Sequence, residues 1–118
     1  MIVRGTVVRG QGLAGKMFGT PTANLALEAP LGIPAGVYIG RTSYKGTALP
    51  SIICYGADGL KKFEVHILNA DLELMGETLA VEIGDKVSDL IPWESEEVMR
   101  KKIYDDIAKA QVLLGLND

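Results

Sequence analysis

The sequence predicts a mainly β fold: a six-stranded antiparallel β-barrel of the Greek-key type, with a C-terminal α-helix packed against it. About five or six short segments of β-branched and apolar residues recur along the chain, with turn residues about every 8–12 positions. The 14 glycines and five prolines lie nearly all before residue 93. Because no helical pattern separates these segments, a closed antiparallel barrel is favoured over a βαβ fold.

The clearest predicted strands cover residues 2–8, 36–42, 48–55, 63–68 and 78–83. Residues 44–47 are predicted to form a hairpin turn. In the strand 63–68 the side chains alternate between two faces, with Phe63, Val65 and Ile67 on one and Glu64, His66 and Leu68 on the other.

The C-terminal helix is predicted from a change in periodicity after Trp93. Ser95 is a suitable N-cap, and Glu96 and Glu97 suit the positive end of the helix dipole. Apolar residues then recur at helical spacing and form one face that can pack on the barrel: Met99, Ile103, Ile107, Ala110 and Leu114. Gly115 is predicted to end the helix.

Length and composition limit the classes of function. The chain of 118 residues is long enough for one domain, residues 1–118, with a real core. A net charge of −3 argues against a nucleic-acid surface. One cysteine and one histidine exclude an internal disulfide and a conventional zinc site. With no signal pattern and no segment of membrane-spanning length, we expect a cytoplasmic protein, and a monomer.

Residues 10–25, directly after the first predicted strand, are the most informative stretch. Their glycines fit a dinucleotide-binding pattern, and Gly10 to Lys16 fits the first part of a phosphate-binding P-loop. Both motifs require a helix that starts at the last glycine. Gly19 and Pro21 follow too closely for such a helix, so we reject both interpretations.

Two oxygen-bearing side chains close this stretch. Thr22 and Asn24 lie two residues apart, so on an extended segment both point to one face. Hydroxyl and amide oxygens are ligands that Mg²⁺ accepts when phosphates and water complete its coordination. From composition alone, however, threonine and asparagine more often satisfy the backbone of a turn.

Glu64 is the carboxylate that most needs an explanation, because it stands on an otherwise apolar strand. An exposed strand glutamate is the commoner role for such a residue. His66 lies on the same face, but a lone strand histidine is usually structural.

Both regions resemble a known family. The signature of riboflavin kinases resembles the stretch Gly10-x-x-x-x-Gly15-Lys16-x-Phe18-Gly19-x-Pro21-Thr22-Ala23-Asn24-Leu25, and the Glu-x-His strand of that family resembles Phe63-Glu64-Val65-His66. The resemblance implies a single riboflavin-kinase-like domain that makes FMN from riboflavin and a magnesium-bound nucleoside triphosphate, most simply ATP. Without an adenylyltransferase domain, this chain alone is not expected to make FAD.

The resemblance also implies roles for individual residues. Glu64 would take the proton from the ribityl 5′-hydroxyl of riboflavin. Thr22 and Asn24 would coordinate Mg²⁺. The remaining nucleotide-binding residues would form a flap: Gly10, Gly15, Lys16 and Gly19. Trp93 and Tyr104 would contact the flavin ring, although aromatic residues are as often part of a core.

Two departures from the family pattern leave alternatives open. Ile53 stands where the family usually has a glycine, and Ser88 where an arginine is common. A non-catalytic flavin- or nucleotide-binding module of the same fold is therefore the second hypothesis. A small barrel used only for protein contacts is the third, although such a scaffold has no need of Thr22, Asn24 and Glu64 together.

Overall fold

The computed structural model describes residues 1–8, 23–56, 62–68 and 74–116. Within these ranges the chain forms β1 (Ile2–Val8), β2 (Ala23–Leu25), β3 (Gly36–Tyr44), β4 (Thr47–Tyr55), β5 (Phe63–Ile67), β6 (Thr78–Ser88) and α1 (Glu96–Leu113). The strands close into an antiparallel barrel in the order β1-β2-β5-β4-β3-β6. Because β6 lies beside β3 after the meander β3-β4-β5, the topology is a Greek key. The predicted barrel with its C-terminal helix is confirmed.

The barrel has an inner core and an outer one because successive side chains of a strand point to opposite faces. The predicted alternation in β5 is confirmed: Phe63, Val65 and Ile67 are buried, whereas Glu64 and His66 are half-buried. The inner core also contains Tyr38, Ile53, Tyr55, Leu79 and Val81. The outer core, where α1 packs on the barrel, contains Val37, Ile52, Leu68 and Ala110.

A two-residue turn joins β3 to β4, as predicted. Lys45 and Gly46 both have positive φ, 48° and 81°. Two such residues are required by the type I′ turn, whose twist matches that of the flanking strands.

Strand β6 was predicted to end at residue 83 but continues for five more residues, to Ser88. Gly84, Asp85 and Lys86 look like a turn in the sequence, yet β6 passes through them beside β3. The register between the two strands shifts twice on the way to Ser88. Such bulges bend a strand and increase its twist, and alternation alone does not predict them. The extension brings Ser88 beneath α1.

The ends of α1 agree with the prediction, but its buried face includes a charged residue that the prediction did not place there. The Ser95 hydroxyl accepts a hydrogen bond from the backbone N–H of Val98 at 3.2 Å. At the other end Gly115 has a φ of 72°, and the backbone N–H of Leu116 donates to the Gln111 carbonyl at 2.8 Å, which is a Schellman motif. The buried positions are Asp106 and Ala110, so a charged residue lies at the centre of the contact. No helix in the described ranges has both the length and the apolar character needed to cross a membrane.

Gly40 explains how the barrel holds Ile53. A Cβ atom at Gly40 would lie 2.8 Å from the carbonyl oxygen of Glu82 and would overlap Cδ1 of Ile53. Ile53 therefore fills the inner core in the space left by this glycine, and it does not reach the outer face.

Replacing Gly40 with alanine is expected to lower the free energy of unfolding by about 1–3 kcal/mol, because overpacking forces the neighbours to shift. Urea unfolding measures the change. Gly5→Ala is the matched control, since its nearest atom would lie at an ordinary 3.4 Å. Equal stability of the two variants would contradict this account of the core.

Candidate active site

Three polar side chains lie next to one another on the outer face of the barrel. Asn24 on β2 pairs with Glu64 on β5, and Glu64 pairs with Cys54 on β4. The neighbours of each along its own strand point into the inner core, so all three side chains point outward. Directly opposed residues have Cβ atoms about 4.5–5.5 Å apart. The barrel thus places an amide, a carboxylate and a thiol side by side.

This line continues towards the helix. Cys54 pairs with Val37 on β3, and Val37 pairs with Ser88 on β6. We call the five residues the outer row: Asn24, Glu64, Cys54, Val37 and Ser88. One end of the outer row is at β2, directly after the glycine-rich stretch in sequence, and the other end is under α1.

Glu64 is half-buried within the outer row. Burial raises the pKa of its carboxylate, and the positive charge of Lys62 offsets only part of this effect. A carboxylate whose pKa is raised is a better proton acceptor than an ordinary exposed glutamate. The geometry therefore suits a general base next to an amide oxygen donor.

A partly buried set of polar contacts joins the far end of the outer row to α1. The Ser88 hydroxyl donates to Oδ1 of Asp106 at 2.7 Å and accepts from Nζ of Lys102 at 2.7 Å. Lys102 and Asp106 also form an ion pair one turn apart on the helix. We call Ser88, Lys102 and Asp106 the helix network.

Cys54 lies between the candidate base and the helix network. The pKa of its thiol is raised to about 12, mainly by burial and also by the carboxylates of Glu64 and Asp106, with a small opposing effect of Lys102. The thiol is therefore protonated and chemically quiet at neutral pH. The charge of Glu64 and the charges of the helix network therefore both act on the Cys54 thiol.

Most of the predicted nucleotide-binding residues fall outside the described ranges. They are Gly10, Gly15, Lys16, Gly19 and Thr22. Of the predicted magnesium pair, only Asn24 is described, and it lies directly beside Glu64. In the described part of the chain, His, Cys, Asp and Glu do not gather in threes as a metal cluster. The amide oxygen of Asn24 is nevertheless a hard donor of the kind that fits Mg²⁺ together with substrate phosphates.

The two predicted flavin contacts are both exposed. Trp93 and Tyr104 each show 53% of their surface to solvent. Tyr104 precedes Asp106 by two residues, which places it about 160° away around the helix. Neither residue belongs to the outer row, and their contact with flavin stays a prediction.

Sequence reasoning did not assign roles to Lys62, Cys54 or the helix network. The signal for Lys102 and Asp106 is their spacing of four residues, which puts them on one side of a helix. Lys101 and Asp105 have the same spacing, however, and their side chains are 80% and 54% exposed. Only the docking of α1 distinguishes the buried pair from the exposed one.

The structure is a small barrel that places a half-buried candidate base, Glu64, beside the amide of Asn24. Such an arrangement suits an enzyme. The family model Flavokinase, described as riboflavin kinase, matches residues 1–114. The chain belongs to the riboflavin kinase family, and the family together with its named relatives supports an enzyme of this kind.

A protein of Pseudomonas fluorescens named bifunctional riboflavin kinase/FMN adenylyltransferase is 31% identical over 117 residues. The match covers 94% of this chain but 37% of that protein, so the chain spans little more than a third of its relative.

Two solved structures share the fold. A Streptococcus pneumoniae protein named as a macrolide-efflux protein superposes with a TM-score of 0.81 at 28% identity, over 93% of this chain and 38% of that one. Riboflavin kinase from Trypanosoma brucei superposes with a TM-score of 0.66 at 18% identity, over 97% of this chain and 79% of that one. At that identity the second likeness shows the fold alone.

Proposed function

We propose that this chain is a riboflavin kinase module that transfers the γ-phosphate of a magnesium-bound nucleoside triphosphate, first of all ATP, to the 5′-hydroxyl of riboflavin. The products are FMN and the nucleoside diphosphate. The observation that supports this most is the pairing of Asn24 with Glu64, because it sets a metal-ligand type and a base type side by side. Both residues stand in the sequence motifs typical of the family.

Phosphoryl transfer asks a protein mainly to position the reactants and to neutralise charge, and such a small site meets both needs. Glu64 accepts the proton of the attacking hydroxyl. The amide of Asn24, with the hydroxyl of Thr22, holds the metal on the nucleotide side. Mg²⁺, when bound, neutralises the charge of the phosphates and orients them. Gly10, Gly15, Lys16 and Gly19 cover the nucleotide in this proposal.

The proposal also gives each substrate a side of the outer row. The nucleotide takes the β2 side, where Asn24 is located, and Glu64 on β5 faces the transferred proton. In an in-line transfer the attacking hydroxyl approaches from the side opposite the leaving group. The acceptor alcohol therefore takes the side of Cys54 and α1.

The two departures from the family pattern do not remove the outer row. Ile53 points into the inner core, where it is fully buried beside Gly40. Ser88 is engaged in the helix network. Neither replaces Asn24 or Glu64, so the catalytic proposal is preferred over the non-catalytic binding module.

The proposal places the enzyme in the cytoplasm as a monomer. The free thiol of Cys54 is compatible with a reducing compartment. Size-exclusion chromatography with light scattering checks the monomer, and a species of twice the mass would contradict it.

The test of the proposed function is incubation of the purified protein with riboflavin, ATP and Mg²⁺, followed by chromatography of the flavins. We expect FMN to accumulate. Quenching of riboflavin fluorescence without FMN formation would instead support the non-catalytic binding module. Replacing ATP with other nucleoside triphosphates in the same assay identifies the preferred donor.

A further inference from the structure

The helix network links β6 to α1 through one side chain. The ion pair between Lys102 and Asp106 lies within the helix, whereas the two hydrogen bonds of Ser88 cross from the barrel to the helix. Both charged side chains are largely buried, with 20% of Lys102 and 7% of Asp106 exposed. Every buried polar side-chain atom in the described ranges has a partner. The contact is therefore directional and satisfied.

Stability alone does not account for this arrangement. Apolar residues of similar volume generally replace a buried ion pair without loss of stability, and often with a gain. The neighbouring pair Lys101–Asp105 repeats the same residue types at the same spacing in solvent. What the buried pair adds is orientation, because hydrogen bonds of fixed direction determine where α1 sits and how it is rotated.

The position of α1 matters to the candidate base. In the outer row only Cys54 and Val37 separate Glu64 from Ser88. Cys54 packs at the edge of the outer core that α1 covers. A shift of the helix would therefore disturb the packing around Cys54, the direct neighbour of Glu64.

We propose that Ser88, Lys102 and Asp106 are positioning residues that hold α1 as the wall of the acceptor side, and that they thereby set the affinity for riboflavin. This inference rests on the proposed function and adds a determinant of acceptor binding to it. The three residues touch none of the reacting atoms and act through the helix.

Four variants separate positioning from simple support of the fold. Ser88→Ala removes the two hydrogen bonds of Ser88 to Asp106 and Lys102 but keeps the ion pair between them. The double variant Lys102→Met with Asp106→Leu removes both buried charges and keeps the volume. Ser88→Thr retains the hydroxyl and serves as the conservative rescue. The control is Lys101→Met with Asp105→Leu, which makes the same exchange on the exposed side of the same helix.

We expect Ser88→Ala and the buried double variant to raise the KM for riboflavin about tenfold, with kcat and the KM for ATP unchanged. Ser88→Thr and the exposed double variant are expected to behave as the wild type. The thermal unfolding midpoint of the buried double variant is expected to stay within about 4–8 °C of the wild type, since its charges leave together.

Different failures overturn different statements. If the wild type makes FMN and both buried-site variants fold with an unchanged riboflavin KM, the positioning role is wrong and the proposed function stands. The same holds if the exposed double variant weakens riboflavin as much as the buried one. If the wild type binds riboflavin but makes no FMN, the proposed function is wrong, and the dissociation constant of riboflavin then tests the network in the same variants. If the wild type does neither, both statements fall.

Discussion

Glu64→Gln is expected to lower the rate of FMN formation by about 10²–10⁴-fold, the range that a positioned general base contributes. Glutamine keeps the size of the side chain and its place between Asn24 and Cys54, but it cannot take the proton of the attacking hydroxyl. Initial rates at saturating riboflavin and MgATP measure the loss. Fluorescence quenching is expected to show riboflavin bound with the affinity of the wild type.

The stability of this variant gives an independent readout. Because burial raises the pKa of Glu64, the charged carboxylate destabilises the folded state once the pH rises through that pKa. Removing the charge is therefore expected to leave the unfolding temperature at neutral pH equal or higher. A loss of rate then cannot be ascribed to unfolding.

Glu82→Gln is the matched control for Glu64→Gln, since Glu82 is an exposed glutamate on β6, outside the outer row. It is expected to retain the full rate. If Glu64→Gln instead keeps a rate within about threefold of the wild type, Glu64 lacks the contribution expected of a general base, and the assignment is wrong.

Asn24→Ala is expected to raise the concentration of Mg²⁺ needed for half-maximal activity by about 10–100-fold. The change removes one oxygen donor next to Glu64, and the hydroxyl of Thr22 alone leaves the metal on the nucleotide side poorly held. Titration of Mg²⁺ at a fixed concentration of free ATP measures the shift. Part of the rate is expected to return at high Mg²⁺, which a misfolded variant would not show.

Val8→Ala is the control for Asn24→Ala, because Val8 is the partner of Asn24 on β1 and carries no oxygen donor in its side chain. Its Mg²⁺ dependence is expected to match that of the wild type. An unchanged Mg²⁺ requirement in Asn24→Ala would show that Asn24 is not a metal ligand. The role of Glu64 as a base would still be tested by Glu64→Gln.

Much of the barrel is predictable because its sequence patterns are local. Alternation in β5, the tight turn at Lys45 and Gly46, and the capping residues Ser95 and Gly115 each act within a few residues. The end of β6 was missed because bulges carry the strand through residues typical of a turn, and the shape of the partner strand decides that.

The candidate site was predictable as residue types and not as an arrangement. Glu64 and Asn24 stand out in separate motifs, but their contact depends on the register between β2 and β5, which pairs residues about forty positions apart. The centre of the helix contact was also unexpected. An apolar face was predicted, and Asp106 occupies its middle because Ser88 and Lys102 satisfy its carboxylate.

The structure also gives a physical reason for the two unusual residues. Ile53 fits because Gly40 leaves room for it inside the barrel, so a departure that looks like a change of the pocket is a change of the core. Ser88 carries no charge, and the positive charge beside Asp106 is instead that of Lys102 on the same helix, which also donates to the Ser88 hydroxyl.

The most direct test of the central claim follows the γ-phosphate itself. The protein is incubated with riboflavin, Mg²⁺ and ATP labelled in the γ-phosphate, and the flavins and nucleotides are separated. The account predicts labelled FMN and unlabelled ADP in equal amounts. In Glu64→Gln the label is expected to be almost absent from the flavin. Release of the label as free phosphate without labelled FMN, by a protein that binds both substrates, would contradict it.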